Sequence, residues 1–508
     1  MVKRVKKQVK SSIGDYKMKQ LAATLLCDFY KLAHREMYPA GTETVYSTWT
    51  PRASRMNGVT EVVVAGNQRF VKRFLIDFFK ENFFDRSKEE VVAEYARIVK
   101  FTLGVQKPDT SHLEALHDLG YLPLLIKAVP EGTVIPLRVP ALTIQNTDKR
   151  FFWLTNYIET LASCELWPTY TAATIAREYR KLLDKASMKT VGNTEFVQFQ
   201  GHDFSMRGLM GLEAAANVGL GHLLSFVGTD TIPAILAAEQ YYGANVEKEL
   251  VGTSIPATEH SIQCCYGDDM AYLKRMITEV HPTGFVSVVS DGYDFWDVIG
   301  RVLPALKKEI MARKGGPLGD RVVIRPDSGD PVLIVCGDPE GKTELERKGA
   351  IEALWDIFGG TKTEKGYKLL DSHIGLIYGD AITLRRAEEI CERLEKKGFA
   401  SINVVFGIGS YTYQYNTRDT FGFAIKSTAC VINGKEKQIF KDPKTDDGIK
   451  KSQRGRVIVY KDGDGKIVFK DGFPLATELN ADMLQPIFKD GKLLNETTFS
   501  EIRARLAK

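Results

Sequence analysis

The sequence predicts an α/β protein in which a β/α barrel is joined to a discontinuous, β-rich second domain. From residue 195 to residue 410, short apolar runs rich in Val and Ile end in charged loops, and helical patterns follow most of them. Such runs are typical of strands buried on both faces of a parallel sheet. A series of six strand-to-loop units fits a barrel or a doubly wound sheet. Polar groups at nearly every strand end favour the barrel, because active sites lie at that end.

The composition indicates a globular protein large enough for two domains. The chain has 508 residues, of which 44% are hydrophobic and 26% are charged. No apolar run approaches the roughly 20 residues that cross a bilayer, so we expect no membrane partner. Residues 1–20 are predicted to be a basic, flexible tail. The Lys and Arg residues in its first half account for the net charge of +5, so we expect no nucleic-acid partner.

The cysteine and histidine patterns argue against a disulfide framework and against a zinc site. The seven cysteines are scattered and odd in number, with no CxxC pair, and the eight histidines form no HExxH motif. Unpaired cysteines are typical of proteins in a reducing compartment. The sequence therefore predicts a cytoplasmic protein.

The N-terminal part of the chain combines strands with helices. Residues 17–50 predict a short helix, a Pro-Ala-Gly turn and a strand, and residues 66–118 have a helical pattern. Residues 122–148 are dense in β-branched residues and prolines, which favours short antiparallel strands outside a parallel sheet. A long helical pattern begins at about residue 152.

Buried strands and polar loops then alternate as far as residue 410. The strand patterns are FVQFQ (196–200), LSFVG (224–228), VSVV (286–289), VVIR (322–325), HIGLIY (373–378) and INVVFG (402–407). A further segment, SIPATEHS (254–261), places Glu259 and His260 at the start of a helical pattern.

The last hundred residues return to strand and turn patterns. RVIVYKDGDGKIVF (456–469) predicts a hairpin, because Asp-Gly pairs supply tight turns. We expect this segment to pack with the strands of 122–148. The predicted β-rich (α+β) domain therefore comprises residues 21–180 plus 411–508, and the α/β barrel domain with the active site comprises residues 181–410.

The predicted strand ends gather arginines, carboxylates and one histidine. These residues are Arg207, Arg325, Asp203, Asp230, Asp291, Asp327, Asp380 and His260. Arginine binds phosphates in a bidentate manner, and carboxylates suit ribose hydroxyls or Mg²⁺. A histidine among carboxylates can act as an acid, a base or a phosphate acceptor. These residue types predict an enzyme that acts on a phosphorylated sugar.

A series of motifs resembles the nicotinamide phosphoribosyltransferase family. In chain order they are DFYK (28–31), KAVPEG (127–132), WLTNYIET (153–160), HDFSMRG (202–208), FVGTDT (226–231), PATEHS (256–261), SVVSDGYD (287–294), IRPDSG (324–329), YGD (378–380), FGIG (406–409), TRD (417–419) and FKDP (440–443). The resemblance covers the chain from about residue 21 to its end.

The resemblance implies an irregular (β/α) barrel of the type II phosphoribosyltransferase kind with a β-rich second domain. It implies the synthesis of nicotinamide mononucleotide and pyrophosphate from nicotinamide and phosphoribosyl pyrophosphate. It also implies a homodimer with shared active sites, Mg²⁺ as a cofactor and ATP as a coupled co-substrate.

The resemblance assigns a site for the pyridine ring. Phe204 and the partner subunit's Tyr30 would sandwich the ring, since stacking and desolvation both favour two aromatic faces. Asp230 would accept a hydrogen bond from the carboxamide and would repel nicotinate. Considered alone, an Asp in Gly-Thr-Asp-Thr fits a helix N-cap equally well.

The sugar and its phosphates are assigned, through the resemblance, to charged residues and glycines. Arg207 and Arg325 would bind the substrates near the pyridine ring and at the phosphates, and Asp327 would bind ribose hydroxyls. The residues expected at the 5′-phosphate end are Gly379, Asp380, Gly409 and Ser410. Arg52, Arg418 and Lys426 resemble the partner-side cations that receive pyrophosphate.

The expected catalytic group comprises His260, Asp291, Arg325 and Asp327. His260 resembles the family's phosphorylated histidine, through which ATP hydrolysis is coupled to tighter substrate binding. Asp291 would orient the imidazole and raise its basicity. Which carboxylates contact Mg²⁺ stays open.

The chain departs from the family's pattern in two places. Ser205 and Met206 replace a Gly-Tyr pair, and Ser410 and Tyr411 interrupt a run of glycines. The second change puts side chains where the backbone should approach a phosphate, so we expect it to shift the affinity for phosphoribosyl pyrophosphate or ATP.

Three other functions compete with this prediction. A nicotinate phosphoribosyltransferase has a similar barrel, but Asp230 argues against a carboxylate substrate. A catalytically inactive relative that binds pyridine nucleotides would be expected to lack His260, Asp291 or the arginines, all of which are present. Nucleic-acid binding through the basic tail would require salt-sensitive binding that is lost when residues 1–10 are deleted.

Overall fold

A computed structural model describes residues 21–442, 451–478 and 480–508. The tail predicted for residues 1–20 lies outside the described residues. The described chain forms a large antiparallel sheet, a parallel sheet and three two-stranded sheets. None of its helices is both long enough and apolar enough to cross a membrane.

The strands occur in two blocks of the chain that flank the barrel and in the barrel itself. In chain order they are β1 (Thr42–Thr50), β2 (Glu61–Val63), β3 (Leu124–Ala128), β4 (Val134–Pro136), β5 (Leu142–Asn146), β6 (Gly201–Asp203), β7 (Gly228–Thr229), β8 (Val286–Val289), β9 (Val322–Arg325), β10 (Gly360–Lys362), β11 (Lys368–Leu370), β12 (Ile374–Tyr378), β13 (Val404–Ile408), β14 (Ala424–Ile432), β15 (Lys435–Gln438), β16 (Arg456–Lys461), β17 (Ile467–Phe473), β18 (Gln485–Lys489) and β19 (Lys492–Leu493).

The helices range from single turns to one helix of 32 residues. They are α1 (His34–Met37), α2 (Asn67–Phe70), α3 (Lys88–Leu103), α4 (Ser111–Leu119), α5 (Leu154–Tyr157), α6 (Glu159–Thr190), α7 (Val197–Gln200), α8 (Leu212–Leu223), α9 (Ile232–Tyr242), α10 (His260–Tyr266), α11 (Asp269–Arg275), α12 (Phe295–Asp297), α13 (Leu303–Met311), α14 (Pro331–Cys336), α15 (Glu344–Lys348), α16 (Ala350–Phe358), α17 (Leu384–Lys396), α18 (Ser410–Tyr413) and α19 (Phe499–Leu506). Wider π-helical turns extend α2, α11 and α12, and shorter 3₁₀ turns include Phe29–Ala33, Met206–Gly208 and Arg418–Thr420.

The parallel sheet has the strand order β7-β6-β13-β12-β9-β8. All of its neighbouring strands are parallel, and β8, β9, β12 and β13 occur where the apolar β-branched runs predict them. Residues 253–257 bridge the two edge strands, because Thr253 pairs with Gly228 and Ala257 pairs with Ser287. The sheet therefore closes into an irregular barrel, as predicted.

The strand predicted for FVQFQ is wrong. Residues 197–200 form the helical turn α7, and β6 begins only at Gly201. In this turn the rings of Phe196 and Phe199 lie 6.1 Å apart, and Gln200 donates hydrogen bonds to two backbone carbonyls of the neighbouring segment at 2.8 and 3.1 Å. The two rings and the amide nitrogen of Gln200 thus find partners while the backbone is helical. A period-2 pattern over five residues does not exclude a helical turn.

The antiparallel sheet has the strand order β15-β14-β1-β5-β3-β18-β19. It pairs strands from both ends of the chain, since β1 lies beside β14 and β3 lies beside β18. The predicted hairpin 456–469 is also present, as β16 and β17. The fold class, a barrel with a discontinuous β-rich part, is thus confirmed, while the exact domain boundaries stay a prediction.

The interior of the described residues contains two large apolar cores that share one helix, and a smaller third cluster. The barrel core includes Ile324 and Phe406, and the second core lies against the antiparallel sheet. There the rings of Trp49 and Phe423 stack with centroids 5.0 Å apart. The first half of α6 contributes Tyr170 to the second core, and its later turns contribute to the barrel core.

Candidate active site

The carboxyl ends of neighbouring barrel segments bring His260, Asp291 and Asp327 together. His260 is the first residue of α10, Asp291 follows β8, and Asp327 follows β9. His260 Nε2 lies 3.0 Å from Asp291 Oδ1 and 3.7 Å from Asp327 Oδ1. The parallel pairing of β8 with β9 explains this meeting, because it places their carboxyl ends side by side.

Asp291 holds this group together through one oxygen that accepts three hydrogen bonds. Its Oδ2 accepts from the backbone N–H groups of Asp327 at 2.9 Å and Ser328 at 2.8 Å, and from the Ser328 hydroxyl at 2.6 Å. Burial raises the pKa of Asp291, but these bonds and the bond to His260 outweigh it, so the pKa is lowered. Asp291 is therefore an ionised carboxylate that ties His260 to the loop after β9.

The bond to Asp291 selects the tautomer of the neutral His260 ring. A carboxylate only accepts hydrogen bonds, so Nε2 carries the hydrogen and Nδ1 keeps its lone pair. The imidazole side chain is 45% exposed, whereas that of Asp291 is 3% exposed. An accessible ring nitrogen backed by a buried carboxylate can serve as a base or a nucleophile.

Arg325 ends β9 on the same side of the barrel. Its Nη1 lies 3.7 Å from Asp327 Oδ2, and its Nη2 donates a hydrogen bond to the carbonyl of Thr258. Its Nε is buried and has no hydrogen-bond partner among the described residues. A largely buried guanidinium with an unused donor retains capacity for an anionic ligand.

The donor set of this group fits Mg²⁺ at Asp327 better than at Asp291. One ligand atom from each of His260, Asp291 and Asp327 lies within 4.8 Å of the others. Both oxygens of Asp291 already accept hydrogen bonds, however, and Mg²⁺ prefers oxygen ligands, waters and substrate phosphates. Burial and the nearby charge of Asp291 raise the pKa of Asp327, and the charge of Asp380 adds to this. A cation there would relieve that repulsion.

The end of β12 brings Gly379 and Asp380 against Asp327. A Cβ on Gly379 would lie 3.2 Å from the Cβ of Asp327, so glycine permits this close approach. Asp380 is exposed, and the next residue, Ala381, has a φ of 54°, which is uncommon for a residue with a side chain. Arg386 of α17 supports the turn by donating a hydrogen bond to the Ala381 carbonyl at 2.7 Å.

A second polar group occupies the ends of β6 and β7. Asp230 Oδ1 accepts hydrogen bonds from His202 Nε2 at 2.9 Å and from Ser254 Oγ at 2.6 Å. Burial raises the pKa of Asp230, but its interactions with His202 and Ser254 outweigh it, and the pKa is lowered. Thr231 occupies the N-cap position of α9, so the helix-cap alternative for Asp230 is wrong.

Phe204 lies beside this group. Its ring centroid is 4.7 Å from that of His202. A Cβ on Gly407 would meet the Phe204 ring at 2.6 Å and the Tyr378 carbonyl at 2.8 Å, so only glycine fits under the ring. The structure thus joins an aromatic ring to an ionised carboxylate through one histidine.

The loops after β6 and β13 touch at Gly208 and Ser410. Arg207 lies on the exposed 3₁₀ turn that ends at Gly208. The Ser410 hydroxyl lies 2.1 Å from the position that a Cβ on Gly208 would take, whereas a Cβ on Gly409 would meet open space. The Ser410 side chain therefore packs over Gly208, and Gly409 leaves the strand end accessible.

The remaining predicted cations form a separate cluster on the antiparallel sheet. Lys426 of β14 pairs with Thr48 of β1, and Arg52 donates from Nε to the carbonyl of Gly422 at 2.7 Å. Burial and the charges of Arg52, Lys441 and Arg418 lower the pKa of Lys426 against the opposing charge of Glu159. A lysine whose pKa is lowered by burial and by neighbouring cations marks a place that suits a polyanion.

Tyr30 is also apart from the barrel group. It lies on the turn Phe29–Ala33, is 58% exposed, and contacts the ring of His34 edge-on at 4.8 Å. The neighbouring Lys31 is buried and forms an ion pair with Glu159 of α6 at 2.5 Å. Within one chain, the described contacts of Tyr30 do not include Phe204.

Sequence reasoning missed several residues that the structure places in these groups. His202 lies within the quoted motif HDFSMRG and Lys441 within FKDP, so both motifs contained the signal. Ser254 and Ser328 also lie within named segments, SIPATEHS and IRPDSG, but a serine near a turn is ordinary and does not by itself indicate a role. Their roles follow only from the tertiary contacts with Asp230 and Asp291.

The fold and these groups define a class of protein, the type II phosphoribosyltransferase fold. A nicotinate-nucleotide pyrophosphorylase from Pyrococcus furiosus aligns with a TM-score of 0.57 at 15% identity, covering 96% of this chain and 94% of that one. Human nicotinic acid phosphoribosyltransferase aligns with a TM-score of 0.50 at 16% identity, covering 95% and 93%. At these identities the alignments show a shared fold only.

The sequence identifies the family within that class. The profile of the nicotinate phosphoribosyltransferase (NAPRTase) family matches residues 199–491, more than half of the chain. A nicotinamide phosphoribosyltransferase from Acinetobacter baylyi is 50% identical over 489 residues, covering 94% of this chain and 96% of the relative. Another from Mycoplasma pneumoniae is 36% identical over 443 residues, covering 83% and 92%. The chain belongs to the nicotinate phosphoribosyltransferase family, and the predicted resemblance is confirmed.

Proposed function

We propose that this protein is a nicotinamide phosphoribosyltransferase, a pentosyltransferase of NAD salvage. It transfers the phosphoribosyl group of phosphoribosyl pyrophosphate to nicotinamide and releases nicotinamide mononucleotide and pyrophosphate. Relatives of this name are 50% and 36% identical over most of the chain. Within a family named for nicotinate, the choice of the amide must rest on the ring site.

The observation that carries this choice is the ionised state of Asp230. Its pKa is lowered by interactions with His202 and Ser254, and His202 contacts the ring of Phe204. A pyridine ring stacked on Phe204 brings its 3-substituent towards this carboxylate. A carboxamide donates a hydrogen bond to it, whereas the carboxylate of nicotinate is repelled.

The transfer step draws on charges on either side of the sugar. As the bond between the ribose and pyrophosphate breaks, positive charge develops on the ribose and negative charge on pyrophosphate. Protein groups of the opposite charge next to each of them stabilise the transition state. Asp327 binds the ribose hydroxyls, and Arg207 and Arg325 hold the ring side and the phosphates. Gly379, Asp380, Gly409 and Ser410 form the 5′-phosphate end. Pyrophosphate is received by a cation cluster from the other subunit, namely the partner subunit's Arg52, the partner subunit's Arg418, the partner subunit's Lys426 and the partner subunit's Lys441.

Mg²⁺ fits this function as a cofactor held by Asp327 and Asp380 together with the substrate's phosphate oxygens. When bound, the ion neutralises the phosphates and favours departure of pyrophosphate. The supporting observation is that Asp291 and Asp380 place negative charge beside Asp327, which together with burial raises the pKa of Asp327.

ATP is the proposed co-substrate, and His260 is its phosphate acceptor. Nδ1 attacks the γ-phosphorus, an N–P bond forms, the bond from that phosphorus to the bridging oxygen breaks, and ADP leaves. The hydrogen on Nε2 stays on the bond to Asp291, which stabilises the positive charge of the ring.

A homodimer completes the site in this proposal. Large apolar side chains are exposed on the segments that follow β6 and β7: Met210 (85% exposed), Leu212 (71%), Ile232 (65%) and Leu236 (57%). Exposed large apolar side chains close together in the chain are the kind of surface that another protein can cover. The partner subunit's Tyr30 would then stack on the ring opposite Phe204. All seven cysteines are free, which supports the expected reducing, cytoplasmic location.

The test is synthesis from purified components. Protein, phosphoribosyl pyrophosphate and Mg²⁺ are mixed with nicotinamide or nicotinate, with and without ATP, and mononucleotide and pyrophosphate are quantified. Product from nicotinamide alone, increased by ATP, is the expected result. Product mainly from nicotinate would show a nicotinate phosphoribosyltransferase instead. No product from either substrate would indicate a protein that only binds pyridine nucleotides.

A further inference from the structure

The helix that begins with His260 carries a second connection to the Asp291 loop. Gln263 lies one turn beyond His260 in α10, and its side chain is 1% exposed. Its Oε1 accepts a hydrogen bond from the backbone N–H of Gly292 at 3.0 Å, and its Nε2 donates to Asp269 Oδ1 at 2.7 Å. Helix and loop are therefore joined through His260 and through Gln263, and a longer, exposed bond from Tyr293 Oη to the Cys264 carbonyl at 3.5 Å adds to them.

The two partners fix the orientation of the Gln263 carboxamide. A carboxylate can only accept and a backbone N–H can only donate, so the amide nitrogen faces Asp269 and the oxygen faces Gly292. A Cβ on Gly292 would lie 2.5 Å from Oε1, so the carboxamide occupies the space that any side chain there would need. Asp269, the first residue of α11, anchors the amide from the other side.

Gly292 follows Asp291 directly, so the hydrogen bond that its N–H donates to Gln263 also restrains the backbone of Asp291. Asp291 Oδ1 meets His260 at 3.0 Å while Oδ2 is occupied by three donors from the loop after β9. Those donors pull the carboxylate towards β9. Gln263 is the buried side chain of α10 that holds the backbone of this loop to the helix.

We infer that Gln263 is a positioning residue that keeps Asp291 in register with His260 for phosphoryl transfer. The inference rests on the proposed function, since it presumes phosphorylation of His260. It assigns Gln263 no contact with substrate. A misplacement of about 1 Å lowers the rate of a positioned reaction by on the order of 100-fold, which sets the scale of the effect.

The experiment measures phosphorylation of His260 from γ-labelled ATP and, separately, mononucleotide synthesis without ATP. We expect Gln263→Ala to lower the labelling rate by roughly 10- to 100-fold and to leave the ATP-independent kcat within about threefold. A purely structural role would instead lower both activities in proportion to the folded fraction, which thermal melting reports.

A charge exchange gives a rescue test. Gln263→Glu places a second carboxylate against Asp269 and should lower labelling at least as much as the alanine variant. Adding Asp269→Asn restores a donor opposite the new carboxylate, which can still accept from Gly292, so labelling should return to within about threefold of the unsubstituted protein. Gln200→Leu is the matched control, because Gln200 is equally buried but bonds the carbonyls of Ser401 and Val404.

The outcomes separate this inference from the proposed function. Unsubstituted protein that makes no mononucleotide would refute the function itself. Active protein whose His260 takes no label, or whose labelling is unchanged by Gln263→Ala, would overturn the inference and leave the transferase assignment intact. Failure of the double variant to recover while it melts normally would also overturn it.

Discussion

The substitution Asp230→Asn tests the ring site directly. It keeps the size of the side chain and an oxygen that can accept from His202 and Ser254, but it removes the negative charge. Two like charges about 4 Å apart repel by about 4 kcal/mol at an effective dielectric of 20 and by about 1 kcal/mol in bulk water. The side chain of Asp230 is 45% exposed, so screening places the value between these limits.

Each 1.36 kcal/mol corresponds to about tenfold in a rate ratio. We therefore expect the ratio of kcat/KM for nicotinamide to that for nicotinate to fall by roughly 10- to 100-fold in Asp230→Asn, mainly through faster use of nicotinate. Initial rates with each substrate at fixed phosphoribosyl pyrophosphate measure this ratio. Raising the salt concentration should shrink the difference between the two proteins, since part of the repulsion is screened.

The matched control is Asp371→Asn. Asp371 also pairs with a histidine, His373, at 2.7 Å, but it lies at the amino end of β12, away from the predicted ring site. That substitution should leave the ratio unchanged. A ratio in Asp230→Asn within about threefold of the unsubstituted protein would refute the electrostatic account of amide selection.

Four further outcomes are expected. His260→Ala should abolish the ATP stimulation of synthesis while ATP-independent synthesis remains, and retained stimulation would exclude the phosphohistidine. Lys426→Gln should weaken inhibition by pyrophosphate by roughly tenfold, because it removes a largely buried cation from the cluster; unchanged inhibition would separate that cluster from pyrophosphate. Gly407→Ala should raise the KM for nicotinamide, because the added Cβ displaces Phe204, and an unaltered KM would place the ring elsewhere. Burial lowers the pKa of His112 from 6.5 to about 4, so the unfolded chain binds the extra proton and stability falls as pH drops below 6.5. Urea unfolding should show that His112→Phe removes about 2 kcal/mol of this loss between pH 6.5 and 5, and an unchanged pH slope would contradict it.

The sequence predicted the barrel strands most reliably where burial dominates. VSVV and VVIR are apolar, β-branched and bounded by turns, and each becomes a strand. FVQFQ alternates between apolar and polar residues, which predicts a strand. It nevertheless forms a helical turn, in which Phe196 contacts Phe199 and the Gln200 amide donates to backbone carbonyls. The barrel's closure through 253–257 rests on two single bridges, which leave no periodic pattern to detect.

The site was predictable in its residues but not in its connections. Charged residues after strands marked Asp291, Arg325 and Asp327, because the carboxyl ends of parallel strands converge. The three donors to Asp291 Oδ2 come from a different loop, and the partners of Asp230 lie 28 and 24 residues away in the chain. Such contacts depend on tertiary structure, so local patterns carry no trace of them.

The long helix α6 has a mechanical consequence for the whole molecule. Its 32 residues extend over roughly 48 Å and are packed into both apolar cores. The helix contains Pro168, close to where its turns pass from the second core to the barrel core, so a hinge rotation of one core against the other would bend the helix there or expose side chains at one of its ends. Because the helix packs into both cores, we expect heat or denaturant to melt the two cores in one transition.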